Sequence, residues 1–246
     1  MRIAIIAALA EELSAILDAA RLEGPVLTAQ LVGVEVHHGT LAGREVLIAQ
    51  SGVGKVAAAA TAAVLCERAD AVVMVGTAGA LGEGVKPGDV VVATELLQHD
   101  FDARPVWDRW VTPSIGLSRV PADQLLTAAL AASASKVCAV HRPDLAELGL
   151  PTPSVHRGLI VSGDLFVTSA AVSSTLKADL PDALAVEMEG AAVAQICHQA
   201  GVPFAVARTI SDGADDRTSL DFPTFLQAVA APYAHDLVVG TLELLD

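Results

Sequence analysis

The apolar positions of this chain fall into short blocks whose period changes from block to block. Residues Arg2–Ala8 form a run without alternation, as in a strand buried on both faces, and Ala10–Ala20 follows with apolar residues at helical spacing. Val32–His38 and Glu45–Gln50 flank Gly39–Gly43 and predict a hairpin, and Gly54–Ala69 predicts an alanine-rich helix. Ala71–Val75 is again wholly apolar and runs into Gly76-Thr77-Ala78-Gly79, which reads as a turn. Pro87-Gly88 marks a turn before a strand over Asp89–Thr94. A helix is expected over Ala122–Ala132, strands over Arg157–Val161 and Leu184–Met188, and a helix over Gly190–Gln199. A strand over Phe204–Ile210 and a closing helix from about Phe222 to Leu245 complete the pattern.

Strands alternating with helices imply βαβ units, so the expected fold is α/β: a three-layer sandwich with a central mixed, mostly parallel sheet. The chain reads as one domain over residues 1–246, with an irregular insertion at about 101–153 that carries Pro105, Trp107, Trp110, Pro113, Pro143, Pro151 and Pro153. A stretch of that kind suits a lid, a binding loop or a subunit contact.

Composition narrows the function. The chain has 246 residues, 53% of them hydrophobic, and a formal net charge of −14 without any basic run. Such a charge repels phosphate backbones and anionic lipid, so no nucleic-acid or membrane partner is expected. The start imitates a signal peptide, but the imitation ends at Glu11-Glu12, and no apolar run approaches the roughly 20 residues that span a bilayer. Cys66, Cys138 and Cys197 are few, odd in number and set among apolar residues, which predicts buried thiols in a reducing cytoplasm. The seven histidines show no metal-ligand spacing, and neither a metal nor a cofactor is expected.

In open α/β folds ligands gather at the carboxyl ends of the strands. Here those places hold Glu11-Glu12, Ser51-Gly52-Val53-Gly54-Lys55, Gly76-Thr77-Ala78-Gly79, Ser162-Gly163-Asp164, Glu187-Met188-Glu189 and Ser211-Asp212. Four of the six carry a carboxylate, which suits a neutral or cationic ligand. The glycine-lysine run lacks phosphate-loop spacing, because Val56 stands where Ser or Thr would hold magnesium. It reads as a tight strand-to-helix turn. Glu12, in a first helical turn, has an ordinary reason to be there in the helix dipole, and Ser211-Asp212-Gly213 fits a plain turn. Glu187 and Glu189, two apart on a strand, aim at one face and are costly to bury unless they meet hydroxyls or a cation; a ribose diol is one such partner.

Together these segments resemble the nucleoside phosphorylase/hydrolase superfamily and, within it, the 5′-methylthioadenosine/S-adenosylhomocysteine nucleosidases. The resemblance rests on Ile3-x-Ile5-Ile6-Ala7-Ala8 with Glu11-Glu12, Ser51 to Ala57, Gly76 to Gly79, and His99-Asp100. Further on it rests on Arg157 to Asp164 with Phe166, Val186 to Ala191, and Arg208 to Asp212. It implies hydrolysis of an adenosine derivative to adenine and a 5′-thioribose. Carried over residue by residue, Glu12 is the general base for water and Asp212, with Ser211 beside it, the acid at purine N7. Arg208, Thr77 and Glu189 line the water and ribose, Met188 and Glu189 contact the ribose hydroxyls, and Glu187 stands next to them. Phe166 stacks on the base, the Val167 backbone reads its edge, Ala78 and Gly79 belong to the same substrate wall, and Leu9, Val53 and Phe222 line the 5′-thio pocket. The resemblance also implies a homodimer.

These residue types suit the chemistry independently. Cleavage of a ribosyl C–N bond builds positive charge on the sugar and negative charge on the purine, so carboxylates near the ribose and a proton donor at N7 stabilise both halves. A phosphorylase would need a cationic cradle, and Met74-Val75 stand where the family's phosphate arginine would be. The segment from Phe101 to Pro153 departs from the nucleosidase pattern, which leaves a futalosine-type nucleoside as an alternative substrate. A binding or storage relative on the same scaffold is the alternative from another class.

Overall fold

The computed structural model describes residues 1–140, 143–214 and 222–245. The chain runs β1 (Ile3–Ala7), α1 (Ala10–Glu23), β2 (Leu27–Leu31), β3 (Val34–Leu41), β4 (Arg44–Gln50), α2 (Lys55–Cys66), β5 (Ala71–Met74) and β6 (Thr77–Ala80). It continues through β7 (Val90–Gln98), β8 (Arg119–Pro121), α3 (Gln124–Ala139), α4 (Pro143–Glu147), β9 (Val155–Ser162), α5 (Ala170–Asp179), β10 (Ala183–Glu187) and α6 (Gly190–Ala200). After β11 (Phe204–Asp212), α7 (Phe222–Phe225) passes through a π-helical turn over Leu226–Ala230 into α8 (Ala231–Leu244).

The strands form one sheet in the order β2-β3-β4-β1-β5-β11-β6-β10-β9-β7-β8. The long strand β11 gives the sheet its shape. Its first residues pair with β5, Ala207–Thr209 pair with β7, and its last residues pair with β6. Because β6, β10, β9 and β7 also pair in sequence, those four strands and β11 close on themselves while the β2 to β5 side stays open. Among the described pairings six are parallel and five antiparallel. The sheet is mixed, with parallel pairings in a narrow majority as expected, and β6 runs against β10, and β11 against β7, to make the closure.

Side chains leaving the sheet in opposite directions build two cores. Ile3, Ile5 and Ala7 of β1 pack with Leu13 and Ile16 of α1, Leu130 of α3 and Tyr233 and Leu237 of α8. Ala4 and Ile6 pack with Ala58, Ala62 and Leu65 of α2 and Ala191 to Ala194 of α6. A third, smaller cluster joins Leu97, Leu159, Val161 and Val186 to Leu176 and Leu180 beside α5. At roughly 25 cal/mol per Å² of apolar surface removed from water, this mostly aliphatic burial is the main favourable contribution to folding.

Three readings of the pattern change. Gly76-Thr77-Ala78-Gly79 is mostly strand, since Thr77–Ala80 pairs with both β10 and β11. β2 and α5 carry too few apolar residues to announce themselves: LTAQL is an exposed edge, and AAVSSTLKAD buries only Ser173 and Leu176. Residues 101–153 contain the 16-residue helix α3, longer than the expected Ala122–Ala132, and the short elements β8 and α4, so among the described residues the irregular part shrinks mainly to the loop before β8 and the stretch between α4 and β9.

Candidate active site

Strand ends and the helix starts that follow them deliver the functional side chains. Glu12 is the third residue of α1 and accepts from the N-cap Leu9 N–H on Oε2 (3.1 Å), one half of a capping box whose other half Leu9 has no side-chain oxygen to make. Its Oε1 turns the other way and accepts from the Thr77 N–H (2.9 Å) and the Thr77 hydroxyl (3.1 Å) at the start of β6. Glu12 is 1% exposed. Burial pushes its carboxyl above the ordinary carboxylate range, and the Arg208 charge, the Leu9 amide and the Thr77 groups pull against that rise.

Arg208, in the middle of β11 and also 1% exposed, is the cation of the site. Its Nη2 donates to Glu187 Oε2 in a very short contact and to Glu189 Oε2 at 3.3 Å, and lies 3.5 Å from the Met74 sulfur. Burial works against its charge, but Glu187, Glu189 and Glu12 outweigh burial and hold the guanidinium more firmly protonated than usual. Gly76 makes room for this: a Cβ there would sit 2.2 Å from Arg208 Nη1 and 3.2 Å from both Glu12 oxygens.

Glu187 ends β10 and faces the start of α6. It accepts from the Ser162 hydroxyl in a very short contact, from the Glu189 N–H (3.1 Å), and from the Gly190 N–H on both oxygens (3.0 and 2.8 Å). The orphan amides of a helix start and a guanidinium thus occupy both its oxygens. Glu189, one residue before α6, accepts from the Gly54 N–H (2.9 Å). Burial raises its carboxyl to about 7, with Arg208 opposing and Glu187 reinforcing the rise. The two glutamates expected to need hydroxyls or a cation meet the cation inside the protein.

At the far end of β11 a register shift between Ile210 and Asp212 puts Ser211 and Asp212 at the same opening. Ser211 Oγ lies 2.6 Å from Asp212 Oδ2 and 3.3 Å from the Ala78 carbonyl, and the Ala214 N–H donates to Asp212 Oδ1 (2.7 Å). That last bond is the plain turn anticipated for Ser211-Asp212-Gly213, present together with exposure to the cavity.

Glu12, Thr77, Arg208, Glu187, Glu189, Ser211 and Asp212 all line one cavity of about 290 Å³. It brings together the residues to which the resemblance gives a part in catalysis or substrate binding: Glu12, Asp212, Leu9, Val53, Thr77, Ala78, Gly79, Phe166, Val167, Glu187, Met188, Glu189, Arg208, Ser211 and Phe222; of the other strand-end candidates, Glu11, Ser51, Gly52, Gly54, Lys55, Ser162, Gly163 and Asp164 do not line it. Ala8, Leu165 and Val186 also line it and were not anticipated, although each is a chain neighbour of a residue that was. The rim is apolar and open: Phe166 is 61% exposed, and Val53, Leu165 and Phe222 are exposed beside it.

Two rim segments are fastened together. The Lys55 N–H donates to Asp164 Oδ1 (2.8 Å), Lys55 Nζ to Asp100 Oδ1 (2.5 Å), and the Asp164 N–H to Asp100 Oδ2 (2.9 Å). The glycine-lysine run therefore acts as a helix start whose consecutive amides, Gly54 and Lys55, each go to a carboxylate, Glu189 and Asp164. Among the described residues no cluster of three or more His, Cys, Asp or Glu is placed to hold a metal, and no helix is long and apolar enough to cross a membrane.

A family model described as the phosphorylase superfamily matches residues 2–243. Solved structures agree over the whole length. A 5′-methylthioadenosine/S-adenosylhomocysteine nucleosidase from Neisseria meningitidis, in complex with methylthio-immucillin-A, is 32% identical, covers 99% of each chain and has a TM-score of 0.87. The nucleosidase from Colwellia psychrerythraea, in complex with adenine, is also 32% identical, over 100% of this chain and 96% of that one, with a TM-score of 0.84. A Helicobacter pylori nucleosidase carrying an aspartate-to-asparagine change, with 5′-methylthioadenosine in its active site, is 30% identical over 99% of each chain, with a TM-score of 0.82.

Proposed function

Because the chain belongs to the phosphorylase superfamily and, within it, to the 5′-methylthioadenosine/S-adenosylhomocysteine nucleosidases, we propose that it hydrolyses the N-glycosidic bond of these two nucleosides, releasing adenine and a 5′-thioribose. One observation carries the reading: a buried carboxylate, Glu12, and an acid at a strand end, Asp212, open into the same cavity, whose rim presents the exposed ring of Phe166.

In this reading Glu12 takes the proton of the attacking water. Thr77 and Leu9 fix its direction, and burial raises its affinity for a proton, which suits a base. Arg208 keeps the three carboxylates compatible in one dry site, and Met188 and Glu189 hold the ribose with Glu187 behind them. The negative cluster stabilises the cationic sugar of the transition state. At the other end Asp212 delivers a proton to purine N7, and the Ser211 hydroxyl can turn toward the Ala78 carbonyl when Asp212 is protonated. Phe166 stacks on the base, the Val167 backbone reads its edge with Ala78 and Gly79 alongside, and Leu9, Val53 and Phe222 take the 5′ substituent.

Water is favoured over phosphate as the nucleophile. Arg208 is the only cation among the described residues lining the cavity, and it is committed to Glu187 and Glu189. A second anion beside three carboxylates would be repelled. Incubation with 5′-methylthioadenosine, with and without phosphate, tests this. Phosphate-independent release of adenine and free methylthioribose is expected, and release only with phosphate would make the protein a phosphorylase.

The wider reading is of one domain over residues 1–246, a three-layer sandwich of sheet between helices, working in the cytoplasm in purine and methionine salvage and assembled as a homodimer. The continuous sheet from β2 to β8 supports the single domain. The exposed apolar rim, with Val106 and Trp107 exposed on the loop before β8, supports a subunit contact.

A further inference from the structure

Cys66 and Cys197 stand 131 positions apart in the sequence, yet their sulfurs lie 3.7 Å from each other. Cys66 is the last residue of α2 and Cys197 sits in α6, two helices that pack on the same face of the sheet through Ala58, Ala62, Leu65 and Ala191 to Ala194. Cys197 is buried, whereas Cys66 is partly open to solvent. Cys138 belongs to the core on the opposite face, with the sheet between it and the pair.

We propose that this pair is an oxidative modification site, at which a hydroperoxide converts Cys66 and Cys197 into a disulfide joining α2 to α6. The sulfurs must close from 3.7 Å to the roughly 2.0 Å of a disulfide, a movement within reach of two side-chain rotations. Access decides the order of events. The Cys66 thiolate attacks one peroxide oxygen; an S–O bond forms as the O–O bond breaks, and the leaving oxygen takes up the proton the thiol released, giving water from hydrogen peroxide or an alcohol from an organic hydroperoxide. The Cys197 sulfur then attacks the sulfenic sulfur of Cys66, the S–S bond forms, the S–O bond breaks, and hydroxide leaves with the Cys197 proton as water. Two thiols lose two electrons and one peroxide gains them.

The electrostatics agree with those roles. A hydrogen bond from Cys197 lowers the Cys66 thiol pKa, against burial and the nearby Glu67 charge, while the same bond and burial raise that of Cys197. The partly open sulfur is thus also the more readily ionised. The cross-link would bear on the cavity, because α2 starts beside Gly54 and α6 starts beside Glu189, the two partners of one site hydrogen bond.

The test treats the full chain with a small excess of hydrogen peroxide, alkylates remaining thiols after denaturation, and maps peptides by mass. The expected product is a Cys66–Cys197 linked peptide, a mass loss of about 2 Da, Cys138 alkylated, and full reversal by dithiothreitol. Closing so long a loop should also raise the melting temperature by roughly 5–10 °C. In Cys197→Ser the reaction should stop at a dimedone-reactive sulfenate on Cys66. A wild-type chain that accumulates sulfenate or higher oxides on Cys66 without the linked peptide, or that links through Cys138 instead, would overturn the proposal; the wild-type map decides even where the variant fails to fold.

Discussion

At the floor of the cavity Glu12, Glu187, Glu189 and Arg208 are buried and hydrogen-bonded to one another or to backbone amides, whereas at its rim Val53, Leu165 and Phe166 are each more than half exposed. The floor is fixed before any ligand arrives, through carboxylates held in place by helix starts and by one guanidinium. The rim has apolar surface waiting to be covered, by a nucleoside and, in our reading, by a second subunit. Such a division lets one end of a substrate meet preorganised charge while the other end is held mainly by contact area.

Changes at the floor should therefore be severe and changes at the rim graded. Arg208→Met leaves the carboxylates of Glu187 and Glu189 buried without their cation, and should destabilise the fold by about 3–5 kcal/mol in urea unfolding. Asp212→Asn should lower kcat at least about a hundredfold with little change in KM, because it removes the proton for the leaving base while its turn geometry survives. Phe166→Ala should instead raise KM roughly tenfold or more and leave kcat nearly intact, the pattern of lost stacking. If Phe166→Ala lowered kcat as much as Asp212→Asn, the division between floor and rim would fail.

The mildest test uses pH. Glu189 titrates near 7 in the folded chain against an ordinary 4.5, so the folded state binds an extra proton between those values. Stability should be highest toward pH 4.5 as far as this group is concerned, and should be lost as pH rises through about 7. Glu12, shifted in the same direction, adds to the trend. Urea midpoints between about pH 5 and about pH 8 should fall, and Glu189→Gln should flatten the slope.

How far the sequence revealed all this differs between the same two regions. Of the floor, spacing alone announced Glu187 and Glu189, whose burial at a strand end calls for a cation or hydroxyls, and Arg208 stands between them; Glu12 had an ordinary place in a first helical turn, and only the resemblance gave it and Arg208 a role. What pattern could not supply was the closure of the sheet. Thr77–Ala80 has no apolar period and reads as a turn, yet it is the strand that pairs with both β10 and β11 and directs Thr77 at Glu12. The lattice of Lys55, Asp100 and Asp164 joins residues 45 to 109 positions apart, and the contact of Cys66 with Cys197 spans 131, so neither is written in any local spacing. Leu165 escaped because exposed apolar residues in a loop carry no periodic signal.

Everything at the floor depends on whether the buried carboxylate of Glu12 does chemistry or only caps α1. Steady-state kinetics of Glu12→Gln on 5′-methylthioadenosine test it directly, since glutamine keeps the shape of the side chain and the oxygen that accepts from Leu9 or Thr77. A fall in kcat of at least about a hundredfold is expected, with KM changed only a few fold. Turnover near that of the unaltered chain would contradict it.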